Sequence, residues 1–182
     1  MAQVKQSNPN WAKDFEQRLD ELDKFNAKVG WFESAKYPEG TPVAYVAAIQ
    51  EYGSGPIPPR PFMRPTMDKK QNEWKQVAGH AAKQILDGKM DAKQGMALLA
   101  TTAEADIAET ISKVSAPPLS PITLVARLFK KQGRKISGGV IGEIAARLHA
   151  GEKFDLSGIS TKPLNDTGRM VATLTHVVED SE

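Results

Sequence analysis

Apolar residues recur every three or four positions over 9–28, where Trp11, Phe15, Leu19, Leu22 and Phe25 stand among Asp, Glu, Lys and Arg. That spacing predicts an amphipathic helix over 9–28, with Pro9 in its first turn behind Asn8 as cap. The pattern then changes to a short apolar and aromatic run, "KVGWFES" at 28–34, which reads as a strand. Thr41-Pro42 supplies a cap and a first-turn proline for "VAYVAAIQEYG", a nearly all-apolar helix closed by Gly53. Two longer helices follow, at 65–87 with Met67, Trp74, Val77, Ala81 and Ile85 on one stripe, and at 91–114 with Leu99, Ala103, Ile107 and Ile111 at four-residue steps. The short "GKMD" between them, with Asp91 as cap, predicts an antiparallel helical hairpin, which "APPLSP" at 116–121 ends. Beyond it come a basic helical stretch over 124–131, a short apolar helix over 139–149, and a polar loop. The last segment, "GRMVATLTHVVEDSE", begins as a helical turn and becomes an alternating strand with Leu174 and Val177 inward.

Between the apolar helix and the hairpin lies "GSGPIPPRPFMRP", residues 53–65, with five prolines. Proline fixes φ and pushes the preceding residue out of the helical region, so the stretch is an extended, stiff arm. It presents Ile57, Arg60, Phe62, Met63 and Arg64 on a pre-ordered backbone. Aromatic, Met and Arg side chains are those enriched at interface cores, and rigidity lowers the ordering cost of binding. The arm is therefore a candidate protein-contact element, together with Trp11 and Phe15 of the first helix.

Composition narrows the classes. The 182 residues suit one domain over 1–182, with 40% apolar and 25% charged residues. A net charge of +2 argues against a surface given over wholly to nucleic acid or membrane. Cysteine is absent, which excludes disulfide and thiolate chemistry. No apolar run approaches the roughly 20 residues of a membrane span, and the first residues lack the apolar core of a secretory signal, so a soluble protein made in a cytoplasm is expected.

Candidate chemistry is sparse. "KPLNDTGRM" contains Asp166-Thr167-Gly168, the tripeptide of retroviral-type aspartic proteases. Such an enzyme needs two of these loops sharing one proton, hence a homodimer, and Arg169 next to the loop would favour the ionised carboxylate instead. A structural turn accounts for the residues more simply, with Asp166 or Thr167 capping a helix and Gly168 permitting a tight entry. His80, His149 and His176 lack metal-site spacings, and no phosphate-binding or nucleophile motif is present, so no catalytic residue, metal or cofactor is expected. The one dense basic stretch, Lys130, Lys131, Arg134 and Lys135, is open to three readings: phosphate contact, an acidic partner, or a solvated face.

Four separated motifs, taken in order, resemble the neck and tail-completion proteins of tailed bacteriophages. They are the strand pair Val29-Gly30 with the helix ending Glu51-Tyr52-Gly53, then Ile57 to Phe62, Pro117 to Thr123, and Lys162 to Gly168. The resemblance spans 28–178. It implies an α+β fold, a small antiparallel sheet flanked by helices including the long hairpin, and a hexameric or dodecameric ring. Such a ring sits at the head–tail junction between the connector or head-completion protein and the tail terminator or tube, with DNA passing through its lumen without sequence specificity. It implies no enzyme, no cofactor and no membrane contact, and it makes Asp166-Thr167-Gly168 a turn. Two features depart from the pattern: a probable insertion over 124–161 and the added N-terminal helix. The competing readings are the homodimeric protease and a small basic nucleic-acid-binding module.

Overall fold

The computed structural model describes residues 10–181, and the proposed cap at Asn8 and Pro9 lies outside them. The fold is α+β, as predicted. Its described elements are α1 (Trp11–Leu22), β1 (Phe25–Gly30), α2 (Val43–Tyr52), α3 (Met63–Leu86), α4 (Ala92–Lys113), α5 (Pro121–Lys131), α6 (Gly138–His149), α7 (Arg169–Ala172) and β2 (Thr175–Asp180). The chain packs as two compact units, each assembled from separated stretches.

Among the described residues, the first unit holds 10–32, 63–109 and 174–181. Here the predicted 9–28 helix stops early: α1 ends at Leu22, and the next residues turn into β1. The reason lies in a second period in the same residues. Phe25, Ala27 and Val29 alternate with Asn26 and Lys28, and a strand can pair this alternation where a lone helix end would leave it exposed. Its partner is β2, antiparallel, in a register from Phe25 opposite Asp180 to Gly30 opposite Thr175. The predicted 28–34 strand is thus shifted to 25–30, and Lys28 pairs with Glu179 across the ribbon. In β2 the inward set is His176 and Val178, not Val177, which is exposed. Leu174, buried just ahead of the strand, sets that phase.

The hairpin of α3 and α4 supplies the helical layer. Asp91 caps α4 as expected: its Oδ1 accepts the Gln94 amide at 2.7 Å, and Gln94 Oε1 accepts the Asp91 amide, a reciprocal capping box. Ala81, Ile85, Ala92, Ala100, Ala103 and Ile107 are buried, whereas Met67, assigned to the same stripe, is 59% exposed. Small residues let the two helices approach closely. A Cβ placed on Gly95 would lie 2.7 Å from Ile85 Cδ1 and 3.5 Å from Ala81 Cβ. Gly95→Leu is therefore expected to cost about 1–3 kcal/mol by overpacking, read as a lowered urea midpoint with an unchanged slope. Polar ties close the unit: Trp74 Nε1 donates to Asp106 Oδ2 at 2.8 Å, and His176 Nδ1 meets Glu104 Oε2 at 2.6 Å. Arg18 Nη1 donates to the Leu86 carbonyl at 3.0 Å, fastening the second half of α1 to the end of α3.

The second unit holds residues 33–62 and 110–173. Its apolar centre is Val125, Phe129 and Ile144, joining α5 to α6, with Ile136, Phe154 and Leu156 packed around it. Residues 124–161 therefore carry a core of their own. Ser120 caps α5 by accepting the Thr123 amide, and Pro121 occupies the first helical position, where its missing N–H costs nothing. In α2 the cap is Pro42, one place later than predicted, and no side chain bonds to the helix start.

Candidate functional site

The Pro-rich arm is shorter than its sequence suggests. Ser54 and Ile57 exchange backbone hydrogen bonds in a tight turn after Gly53, and α3 begins at Met63. Pro65 fits inside α3 because the first helical amides lack intrahelical acceptors in any case. The stretch between is pinned at two points. Arg60, 4% exposed, donates from Nε to the Pro117 carbonyl (2.8 Å), from Nη2 to the Pro118 carbonyl (3.0 Å) and from Nη1 to Gln50 Oε1 (3.2 Å). Phe62 is fully buried, and its amide donates to the buried Glu51 carboxylate at 2.6 Å.

Arg60 and Phe62 therefore anchor the arm to its own chain, satisfying buried polar groups of the Pro117–Pro118 stretch and of α2. Among the other arm candidates, Ile57 and Arg64 are exposed and Met63 is half-buried. Trp11 and Phe15 are exposed on α1, at 63% and 38%.

Around these anchors lies an open groove of about 580 Å³ within the second unit. Its lining comes from the turn before α2 (Tyr37, Glu39), from α2 itself (Val46, Gln50), and from the arm (Pro56, Ile57, Pro58, Arg60). The opposite side is built from Pro118 to Ser120, from α5 (Thr123, Arg127, Lys130), and from Leu164 and Asp166 to Met170.

Asp166-Thr167-Gly168 forms one rim of this groove. Gly168, not Asp166 or Thr167, is the N-cap of α7, with φ 69° in the left-handed region that glycine tolerates without strain. Asp166 turns instead toward cations, its carboxylate 3.4 Å from Arg127 Nε and 3.5 Å from Lys130 Nζ. Arg127 also donates to the carbonyls of Ser160 (2.7 Å) and Lys162 (3.0 Å), and Arg169 Nε donates to the Lys36 carbonyl at 2.5 Å. Three arginines, 60, 127 and 169, thereby tie together loops distant in sequence. Burial lowers the Arg60 and Arg127 guanidinium pKa values below their ordinary range, with Asp166 opposing the shift at Arg127.

Tyr37 in the groove has its phenol raised above the usual value of about 10, by burial first and then by Asp166 and Glu39, with Arg169 opposing. The folded state favours the neutral phenol, so this contribution is complete below the unfolded value and is lost as pH rises through the higher folded one. The difference in tyrosinate absorbance between the wild type and Tyr37→Phe should therefore titrate above 10 in folded protein and fall back toward it in urea.

The basic stretch is mostly engaged within its own unit. Arg134 lies 4.3 Å over the Phe129 ring and pairs with Glu143 at 2.8 Å, Lys130 meets Asp166, and Lys131 donates to the Gly158 carbonyl at 3.1 Å. Among the described residues Lys135 alone of the four has no such partner. Sequence reasoning missed this arrangement because Glu143 and Gly158 are not neighbours in the chain; the only signal was Phe129 amid the cations. His80 and His149 are exposed and separate from the groove. The described residues include no cluster of His, Cys, Asp and Glu arranged to hold a metal, and no helix among them is long and apolar enough to cross a membrane.

Comparison with protein families, curated proteins and solved structures finds no match to this chain.

Proposed function

We propose that this chain is a structural virion protein of a tailed phage or prophage, forming a ring at the head–tail junction that joins connector to tail and lets DNA pass. It works by assembly and docking rather than turnover, within the virion after assembly in the host cytoplasm. The observation that supports this reading is the convergence of motifs. The helix ending Glu51-Tyr52-Gly53, the arm and the Pro117–Thr123 stretch meet in one hydrogen-bonded frame, and the Asp166 turn lines the same groove. Their order along the chain is the resemblance, and the bonds from the arm to Glu51 and to the Pro117 and Pro118 carbonyls give part of that order a physical reason. Exposed aromatic and apolar side chains at Trp11, Tyr45 and Tyr52 leave surface for partners.

The protease reading draws less support, since the Asp166 carboxylate is engaged within its own chain, 3.4 Å from Arg127 Nε and 3.5 Å from Lys130 Nζ. The nucleic-acid reading is weakened by the internal pairing of Lys130, Lys131 and Arg134. The test is light scattering on a sizing column with negative-stain images of the main peak. Closed rings are expected; a compact dimer or a monomer at every concentration would overturn the self-assembling ring.

A further inference from the structure

We propose that the ring closes head to tail, with the apolar face of α1 on one copy seated in the groove of the second unit on its neighbour. The inference rests on the self-assembling ring proposed above and names the surfaces that build it.

The inserting surface is unusual for a helix of a folded chain: no residue of α1 is buried. Trp11, Phe15 and Leu19, at four-residue steps along one face, are 63%, 38% and 43% exposed. Isolated exposed apolar residues need no explanation, but a line of three at helical spacing is a docking face. The rest of the helix is acidic. Within α1 there are four carboxylates, Asp14, Glu16, Asp20 and Glu21, against two cations, Lys13 and Arg18, and Arg18 is held on the Leu86 carbonyl.

The receiving surface has the opposite character. The groove offers apolar contact through Val46, Ile57, Leu119 and Leu164. Its accessible charged lining is three cations, Arg127, Lys130 and Arg169, against two carboxylates, Glu39 and Asp166, with Arg60 buried behind them. At about 580 Å³ it lies within the roughly 300–1,000 Å³ of a formed binding pocket, room for the anchor side chains of a helix rather than the whole helix. An amphipathic helix presenting anchors at successive turns to an apolar groove is a recurrent recognition mode, and complementary charge fixes its approach.

The charges favour the groove of a second copy over its α1. Pairing α1 with α1 of another chain would face acidic helix to acidic helix, which like charges oppose. A face and a groove on different parts of one chain make a heterologous contact, and heterologous contacts generate rings when the rotation closes.

Two variants test this. The inserting variant carries Trp11→Ala with Phe15→Glu, on a helix without buried residues, and urea unfolding checks that it folds as the wild type does. The receiving variant is Ile57→Glu, an exposed position that places a carboxylate against the acidic helix. Sedimentation velocity and negative stain compare the wild type, each variant alone, and an equimolar mixture. Each variant alone should associate about thirty-fold more weakly or not at all, as loss of an interface anchor does. The mixture should give a stable one-to-one dimer and no ring, because only one intact helix meets one intact groove. Rings undiminished in both variants would overturn the α1 contact and leave the ring reading standing. Loss of rings in the inserting variant alone, with Ile57→Glu assembling as wild type, would place α1 on another surface and overturn the groove. A wild type that stays monomeric, binding a different protein through either surface, would overturn the contact together with the self-assembling ring.

Discussion

Phe129→Ala is expected to lower the unfolding free energy by about 3–5 kcal/mol, the range for removing a buried aromatic from a well-packed core. Phe129 is 5% exposed and joins α5 to α6 with Val125 and Ile144. Its ring meets Phe154 edge to face at 6.0 Å and carries Arg134 at 4.3 Å on its face. Deleting it removes the apolar burial and an aromatic pair and leaves Arg134 held only by Glu143. Phe129→Leu keeps most of the volume and should recover most of the stability. Urea unfolding gives the magnitude, and hydrogen exchange gives the place: protection should fall in α6 and around Phe154. Uniform loss across α3 and α4 as well would contradict a local core in residues 124–161.

That local core also shows what the sequence left unread. The α6 helix and the basic stretch are visible by composition, but their pairing depends on Arg134 reaching Glu143, a contact with no fixed spacing, whereas Glu143–Arg147 is an ordinary i,i+4 pair within α6. The hairpin was legible because Asp91, Gly88 and two apolar stripes agree on where the helices begin and end. Residues 22–30 misled because Leu22 and Phe25 continue a helical period while Phe25, Ala27 and Val29 start a strand period. Only the partner strand decides between them. A sheet of two strands from opposite ends of the chain leaves no local trace of its register.

The groove was legible as fragments. The arm, the Pro117–Thr123 stretch and the Asp166 turn that line it stand out in the sequence, but Arg and aromatic residues on a stiff arm look alike whether they face a partner or their own chain. What separates the cases is the supply of acceptors. The cis Ala116–Pro117 segment presents two carbonyls to Arg60, and Glu51 presents its carboxylate to the Phe62 amide. Asp166 was likewise recognised as part of a turn, but its partners Arg127 and Lys130 lie more than thirty residues earlier.

Arg60→Ala should cost about 3 kcal/mol, because a hydrogen bond from a charged donor contributes about 1.5–3 kcal/mol and its loss strands the acceptors. Three bonds depend on this guanidinium, and two of their acceptors are backbone carbonyls of the Pro117–Pro118 stretch. Arg60→Lys is expected to recover less than half of the loss, since one ammonium cannot reproduce the planar fork that reaches two carbonyls and Gln50 together. Stability by urea titration and assembly by light scattering should then fall in parallel across Ala and Lys. Such a parallel identifies Arg60 as the clamp that shapes the groove. An Arg60→Ala protein as stable as the wild type but unable to form rings would return this residue to the contact surface, which its 4% exposure opposes.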